Sequence, residues 1–217
     1  QNKKIVRVLE SHSPLAGLIA ENIKIEKKDK IEQFDAMWSS SLTDSSVKGK
    51  PDNQSLDFSS RFSGIGDILD VTTKPIIFDA DNGGRLEHLS FSVRTLERLG
   101  VSAIMLEDKV GLKKNSLFKD QSGVKQDSIK DFCKKIKLIK NTRNSEDFLI
   151  GARIESFILG KGLQDGLKRA IAYSKAGADL ILIHSKEKNP SEIFAFSKIF
   201  RKNKFFKPLV SVPSTYS

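Results

Sequence analysis

Short continuous apolar runs alternate along this chain with segments whose apolar residues recur three and four positions apart. The runs Ile5–Leu9, Pro75–Phe78, Ala103–Leu106, Phe148–Ala152, Leu180–Ile183 and Leu209–Val212 read as strands, with a further run near Phe34–Trp38. Between them, Leu89, Val93, Leu96 and Leu99 mark a helical face closed by Gly100. Ile129, Phe132, Cys133, Ile136 and Ile139 mark another, behind Asp127 as the expected N-cap. Leu163, Leu167, Ala170, Ile171 and Ser174 form a third, closed by Gly177, and Phe194, Ser197, Ile199 and Phe200 a fourth. Pro14 is placed to open a helix over Leu15–Ile23, because its fixed φ and missing N–H suit a first turn. Lys24–Lys30 reads as a turn, and the polar stretch from Ser39 to Asp52 as a long loop of the kind that carries function.

Helices alternating with continuous apolar strands imply an α/β fold with a parallel sheet covered on both faces. The segments 97–107 and 174–184 echo one another: a helix end, a glycine, a short polar turn and a strand ending in an ionisable group. Seven such units favour a (β/α)8 TIM barrel, whose site gathers at the carboxyl ends of the strands. A complete barrel needs about 250 residues, so this chain of 217 is expected to be one domain, residues 1–217, lacking the last βα unit. Gln1 at the start suggests that the natural N-terminus lies upstream.

Composition narrows the classes. There are 37 basic and 27 acidic residues, a formal charge of +10, but the lysines are dispersed and aromatic interleaving is weak. A basic soluble surface fits better than a nucleic-acid-binding module, which would leave the strand-end carboxylates unexplained. One cysteine, Cys133, excludes an internal disulfide, fits a reducing compartment and reads as a packing residue. No run reaches the roughly 18 apolar residues of a membrane span and no signal-peptide pattern opens the chain, so the expected location is cytoplasmic.

The candidate chemistry sits where the strands end. Asp79 and Asp81 lie two apart, so in an extended segment their carboxylates share a side. With Glu107 at the end of the next strand and Asp52 from the long loop they make an all-oxygen set that suits magnesium. Capping the following helix is the structural alternative for Asp81. Arg153 and His184 end two later strands; an arginine there is an ion pair or an anion clamp, and a lone histidine is more often a core residue. The stretch EDKVGLKKNSLF, 107–118, follows a buried strand with carboxylates, then lysines, an amide and a hydroxyl, able to serve a metal and an anion together. No GxGxxG follows the first strand, and three histidines with one cysteine are too few for a zinc site.

Taken in order, WSSSLTD with GKPD, DADNGG, EDKVGLKKNS, ARIES and ILIHSK resemble the phosphoenolpyruvate mutase branch of the isocitrate lyase superfamily over essentially the whole chain. The lyases of that superfamily carry KKCGH where this chain has KKNS, and phosphonopyruvate hydrolases typically carry threonine at the position of Asn115. The resemblance therefore implies a Mg²⁺-dependent isomerase that interconverts phosphoenolpyruvate and phosphonopyruvate in phosphonate biosynthesis, with the hydrolase as the alternative. It implies that Asp79 holds the metal with Asp52, Asp81 and Glu107 around it. Trp38, the backbone near Ser40, Ser41 and Leu42, and Arg153 would hold the substrate carboxylate. Asn115, Ser116, Arg153 and His184 would surround the phosphoryl group, with Lys113 adding charge and positioning the loop. A homodimer or homotetramer is also implied. DADNGG followed by Arg85 departs from the commoner DxDTGYG and is similar to a subgroup fused to a nucleotidyltransferase.

Overall fold

In the computed structural model, the described residues are 5–27, 30–111, 113–118 and 120–213. In chain order the elements are β1 (Val8–Glu10), α1 (Pro14–Asn22), β2 (Lys24–Lys27), β3 (Lys30–Gln33), β4 (Ala36–Ser39), α2 (Ser41–Val47), α3 (Phe58–Leu69), β5 (Ile76–Asp79), α4 (Leu86–Leu99), β6 (Ala103–Glu107), β7 (Lys109–Val110), β8 (Lys125–Gln126), α5 (Ile129–Thr142), β9 (Leu149–Ile154), α6 (Gly162–Ala176), β10 (Leu180–Ile183), α7 (Ser191–Phe200) and β11 (Leu209–Val210). Among them, seven strands form one parallel sheet in the order β1-β4-β5-β6-β9-β10-β11. This is the curled sheet of a partial TIM barrel, as the alternation of periods implies.

The local rules explain most boundaries. Ser13 Oγ accepts the Ala16 amide and Pro14 takes the first turn of α1. Gly100, at φ 95°, ends α4 in the left-handed conformation. The cap of α5 is Ser128, whose Oγ accepts the Asp131 amide at 3.0 Å; Asp127, expected in that role, instead pairs with Lys135 at 3.3 Å. Lys24–Lys30 is not a plain turn. Strands β2 and β3 pair antiparallel there, but Ile25 and Ile31 stay exposed, so no buried face marks the alternation; Lys28 and Asp29 lie outside the described residues. The long loop also holds α2, and α3 follows it, capped by Asp57.

The helices bury one face each against the sheet. Ile65, Val93, Leu96, Phe132, Ile136, Leu167, Ala170 and Tyr173 pack with Phe78, Ile104, Leu106, Ile150 and Ile181 in one core. At about 1.5–3 kcal/mol per large buried side chain, that face fixes the strands firmly enough to carry precise chemistry at their ends. A Cβ on Gly151 would meet the end of the Met105 side chain at 2.4 Å, so the glycine of β9 leaves the space that this methionine of β6 fills.

Candidate active site

Parallel register brings the strand ends together. Glu107 of β6 lies beside Arg153 of β9, and Arg153 beside Leu182 of β10, which ends just before His184. Two differently charged halves result.

In the acidic half, the Lys113 ammonium sits between Asp52 Oδ1, at 2.6 Å, and Asp81 Oδ1, at 2.5 Å. It also donates to Ser41 Oγ, which in turn donates to Asp79 Oδ2 at 3.2 Å. Asn115 Nδ2 donates to Asp52 Oδ2 at 3.2 Å, so the loop docks on the same carboxylate. Asp79 and Asp81 reach this cluster by another route than a shared pleat. Asp81 has φ 48°, a left-handed turn that a non-glycine residue adopts at a price in strain, and Gly83 follows at φ 79°. Asp81 does not cap α4, whose N-cap is Arg85, without a side-chain cap bond. Burial works against ionising Asp79, yet Lys113, Arg153 and Arg61 hold its carboxyl below the usual range. Burial and the Asp79 charge push Asp81 up, and burial pushes Glu107 up to about 7 against the pull of Arg153.

Glu107 decides whether a cation belongs here. It is 2% exposed, and neither carboxylate oxygen has a hydrogen-bond partner among the described residues. Its nearest cations, Arg153 Nη2 and Lys109 Nζ, stand off at 3.6 and 3.9 Å. Among the described residues no three His, Cys, Asp or Glu side chains form a ready coordination group. Magnesium does not demand one, since it keeps several waters and takes one or two direct carboxylates. The donor set is all oxygen and electron-rich, and it fits a hard divalent ion.

The cationic half centres on Glu155, which is fully buried. Arg153 Nε donates to its Oε1 at 2.7 Å and His184 Nε2 lies 2.7 Å from the same oxygen. Ser116 Oγ donates to Oε2 at 2.7 Å, and Lys109 Nζ is 3.0 Å from it. Burial opposes ionisation of Glu155, but Arg153, His184 and Lys109 hold its carboxyl well below the usual range. A carboxylate only accepts, so His184 carries its proton on Nε2. Burial lowers the affinity of His184 for a second proton, although Glu155 opposes that shift.

Of the residues singled out in the sequence, Ser41, Asp52, Asp79, Asp81, Glu107, Lys113, Asn115, Ser116, Arg153 and His184 fall within these two halves. Trp38, Ser40 and Leu42 flank them on β4 and the start of α2, with Leu42 40% exposed. Glu155, Lys109 and Arg61 receive no role of their own in the sequence reading, although Lys109 is one of the lysines of its 107–118 stretch. The first two stand inside the motifs ARIES and EDK and could have been found there. Arg61 lies on α3, which the apolar pattern does not announce. Its guanidinium holds Asp44 Oδ2 at 2.8 Å, the Ser39 carbonyl at 3.3 Å, the Asp79 carbonyl and the Phe78 ring face at 4.1 Å, tying β4 and α2 to β5 beneath the acidic half.

The family model for phosphoenolpyruvate phosphomutase matches residues 1–216. A phosphoenolpyruvate phosphomutase of Tetrahymena pyriformis is 36% identical over the full chain, which spans 68% of that protein. A phosphonopyruvate hydrolase of Variovorax sp. (strain Pal2) is 34% identical over the full chain, which spans 73% of it. The structure of a phosphonopyruvate hydrolase in complex with oxalate and Mg²⁺ superposes with a TM-score of 0.81 at 32% identity, covering 98% of this chain and 68% of that one. Among the described residues no helix is long and apolar enough to cross a membrane. The chain belongs to the phosphoenolpyruvate phosphomutase family and is an enzyme of that class.

Proposed function

We propose that this enzyme interconverts phosphoenolpyruvate and phosphonopyruvate, with a divalent cation, Mg²⁺, at the acidic half. The observation that carries the reading is one loop reaching both halves: Asn115 touches Asp52 while the adjacent Ser116 touches Glu155. An enol phosphate has matching parts, pyruvyl oxygens at one end and a phosphoryl group at the other. In the reaction the P–O bond to the enol oxygen breaks and a P–C bond forms at C3 of the same molecule, with no net proton or redox change.

Asp79, with Asp81, Glu107 and Asp52 around it, would hold the ion, whose chemistry is to neutralise charge on the pyruvyl oxygens. Arg153 and the backbone near Ser40, Ser41 and Leu42, beside Trp38, bind the substrate carboxylate. Arg153, His184, Ser116 and Asn115 surround the phosphoryl group, which passes through a loose, metaphosphate-like state, so positioning and charge stabilisation do most of the work. Lys113 keeps the loop seated. Closure then excludes water, which would otherwise capture the phosphoryl group as phosphate. Asn115, where the hydrolase branch typically has threonine, favours rearrangement. The same reading places the chain in phosphonate biosynthesis, as part of a homo-oligomer.

The test is ³¹P NMR of the protein with phosphonopyruvate and Mg²⁺. The expected result is the phosphoenolpyruvate signal, reduced by about 10²–10³-fold in rate for Asn115→Ala, the usual scale for one lost charge-stabilising donor. Phosphate as the sole product would move the assignment to the hydrolase.

A further inference from the structure

Four groups assigned to or lining the phosphoryl side, Arg153, His184, Ser116 and Lys109, converge on one carboxylate that itself has no room for substrate. Both oxygens of Glu155 are taken, and its charge would repel a phosphoryl group. Its backbone is fixed independently of the loop. Glu155 N donates to Asp108 Oδ1 at 2.9 Å, and the other oxygen of that buried aspartate accepts from Tyr173 Oη at 2.7 Å, Gln126 Nε2 at 2.9 Å and Arg169 Nη1 at 3.1 Å. Tyr173 and Arg169 belong to α6, packed behind the sheet. Glu155 is thus a post set in the rigid scaffold. Ser116 is its counterpart on the loop: it donates to Glu155 and accepts from Arg153 Nη2 at 2.9 Å and from Lys109 Nζ. Lys109 Nζ adds a bond to the Lys114 carbonyl at 3.1 Å.

We propose that Glu155 is a positioning residue that latches the 113–118 loop over the phosphoryl side, so that it governs whether the phosphoryl group rearranges or meets water. This rests on the function proposed above. A carboxylate can accept from all four neighbours at once, whereas an amide at the same place would present an N–H to a donor. The latch then weakens on the loop side, where, among the described residues, Ser116 and the Lys114 carbonyl hold it to this half.

The experiment compares the unsubstituted protein, Glu155→Gln and Ser116→Ala by two measurements. The first is the ratio of inorganic phosphate to rearranged product from phosphonopyruvate and Mg²⁺, read by ³¹P NMR. The second is the rate of trypsin cleavage after Lys113 and Lys114 in the protein alone. The expected result is a several-fold rise in the phosphate ratio and faster loop cleavage in both variants. A slower reaction with an unchanged product ratio and unchanged cleavage would overturn the latch. Ser116→Ala leaves the buried carboxylate intact and decides the matter if Glu155→Gln does not fold. If the unsubstituted protein makes neither product, the functional reading fails, and the cleavage rates alone still judge the latch.

Discussion

The two halves of the site are opposites in how their charges are satisfied. In the acidic half four carboxylates share the ammonium of Lys113, and the two oxygens of Glu107 have no hydrogen bond among the described residues. In the cationic half a single carboxylate meets four donors. The first is short of positive charge and the second is saturated with it. A buried group left unsatisfied loses its hydration without replacement, while a saturated one stabilises only as long as every partner stays. One half therefore invites a cation, and the other holds its shape in readiness for an anion.

Removing one carboxylate from each half should separate them most sharply. Glu155→Ala leaves buried cations uncompensated and is expected to lower stability by about 3–5 kcal/mol. Glu107→Gln, which removes a buried charge with no hydrogen bond among the described residues and only long ion pairs to Arg153 and Lys109, should leave stability unchanged or raised. Urea denaturation in the presence of EDTA measures both, and equal losses would erase the contrast. Next in size, Lys113→Met removes the ammonium competing for the oxygens of Asp52 and Asp81. Divalent-ion binding, followed by calorimetry with Mn²⁺, should tighten by roughly tenfold, since charges at such separations interact by several kcal/mol before screening. Weaker binding would mean that the lysine orders the ligands instead of competing with the ion.

The smallest effect concerns pH. His184 has its affinity for a second proton lowered from an ordinary value of 6.5. A base whose folded pKa is depressed gives stability that is complete above the unfolded value and is lost as pH falls through the folded one. The His184 contribution should accordingly be lost in the metal-free protein as pH drops below about 6.5. Glu107, raised to about 7, gains stability over the same fall, so the effect is read as the difference in slope between the unsubstituted protein and His184→Gln. An identical slope in the variant would show that His184 does not contribute, because the depressed carboxyl of Glu155 takes up its proton only at lower pH.

Much of this is legible in the residues because strand ends are easily read. Ala103–Leu106 and Leu180–Ile183 are unmistakable apolar runs, and each gives way at once to ionisable side chains. The acidic and cationic ligands come out of that rule. Two kinds of information do not. Helix α3 has its apolar residues Phe58, Phe62, Ile65 and Ile68 interleaved with serines and glycines, a weak periodic signal, and so Arg61 stays hidden beneath the site. Pairing is the other gap: a strand period cannot tell that Asp81 turns left-handed, or that Glu155 rather than its neighbours collects the donors. Those facts depend on loops crossing between strands, which leave no periodic trace.

Asn115 and Ser116 are consecutive residues with partners in opposite halves, one peptide bond spanning the boundary. Ligands on the two sides are then joined by thermodynamic reciprocity: whatever factor the ion contributes to the grip on substrate, substrate returns to the grip on the ion. Their order of arrival changes the kinetics but leaves that factor untouched, and a single short tether is enough to make two binding sites behave as one.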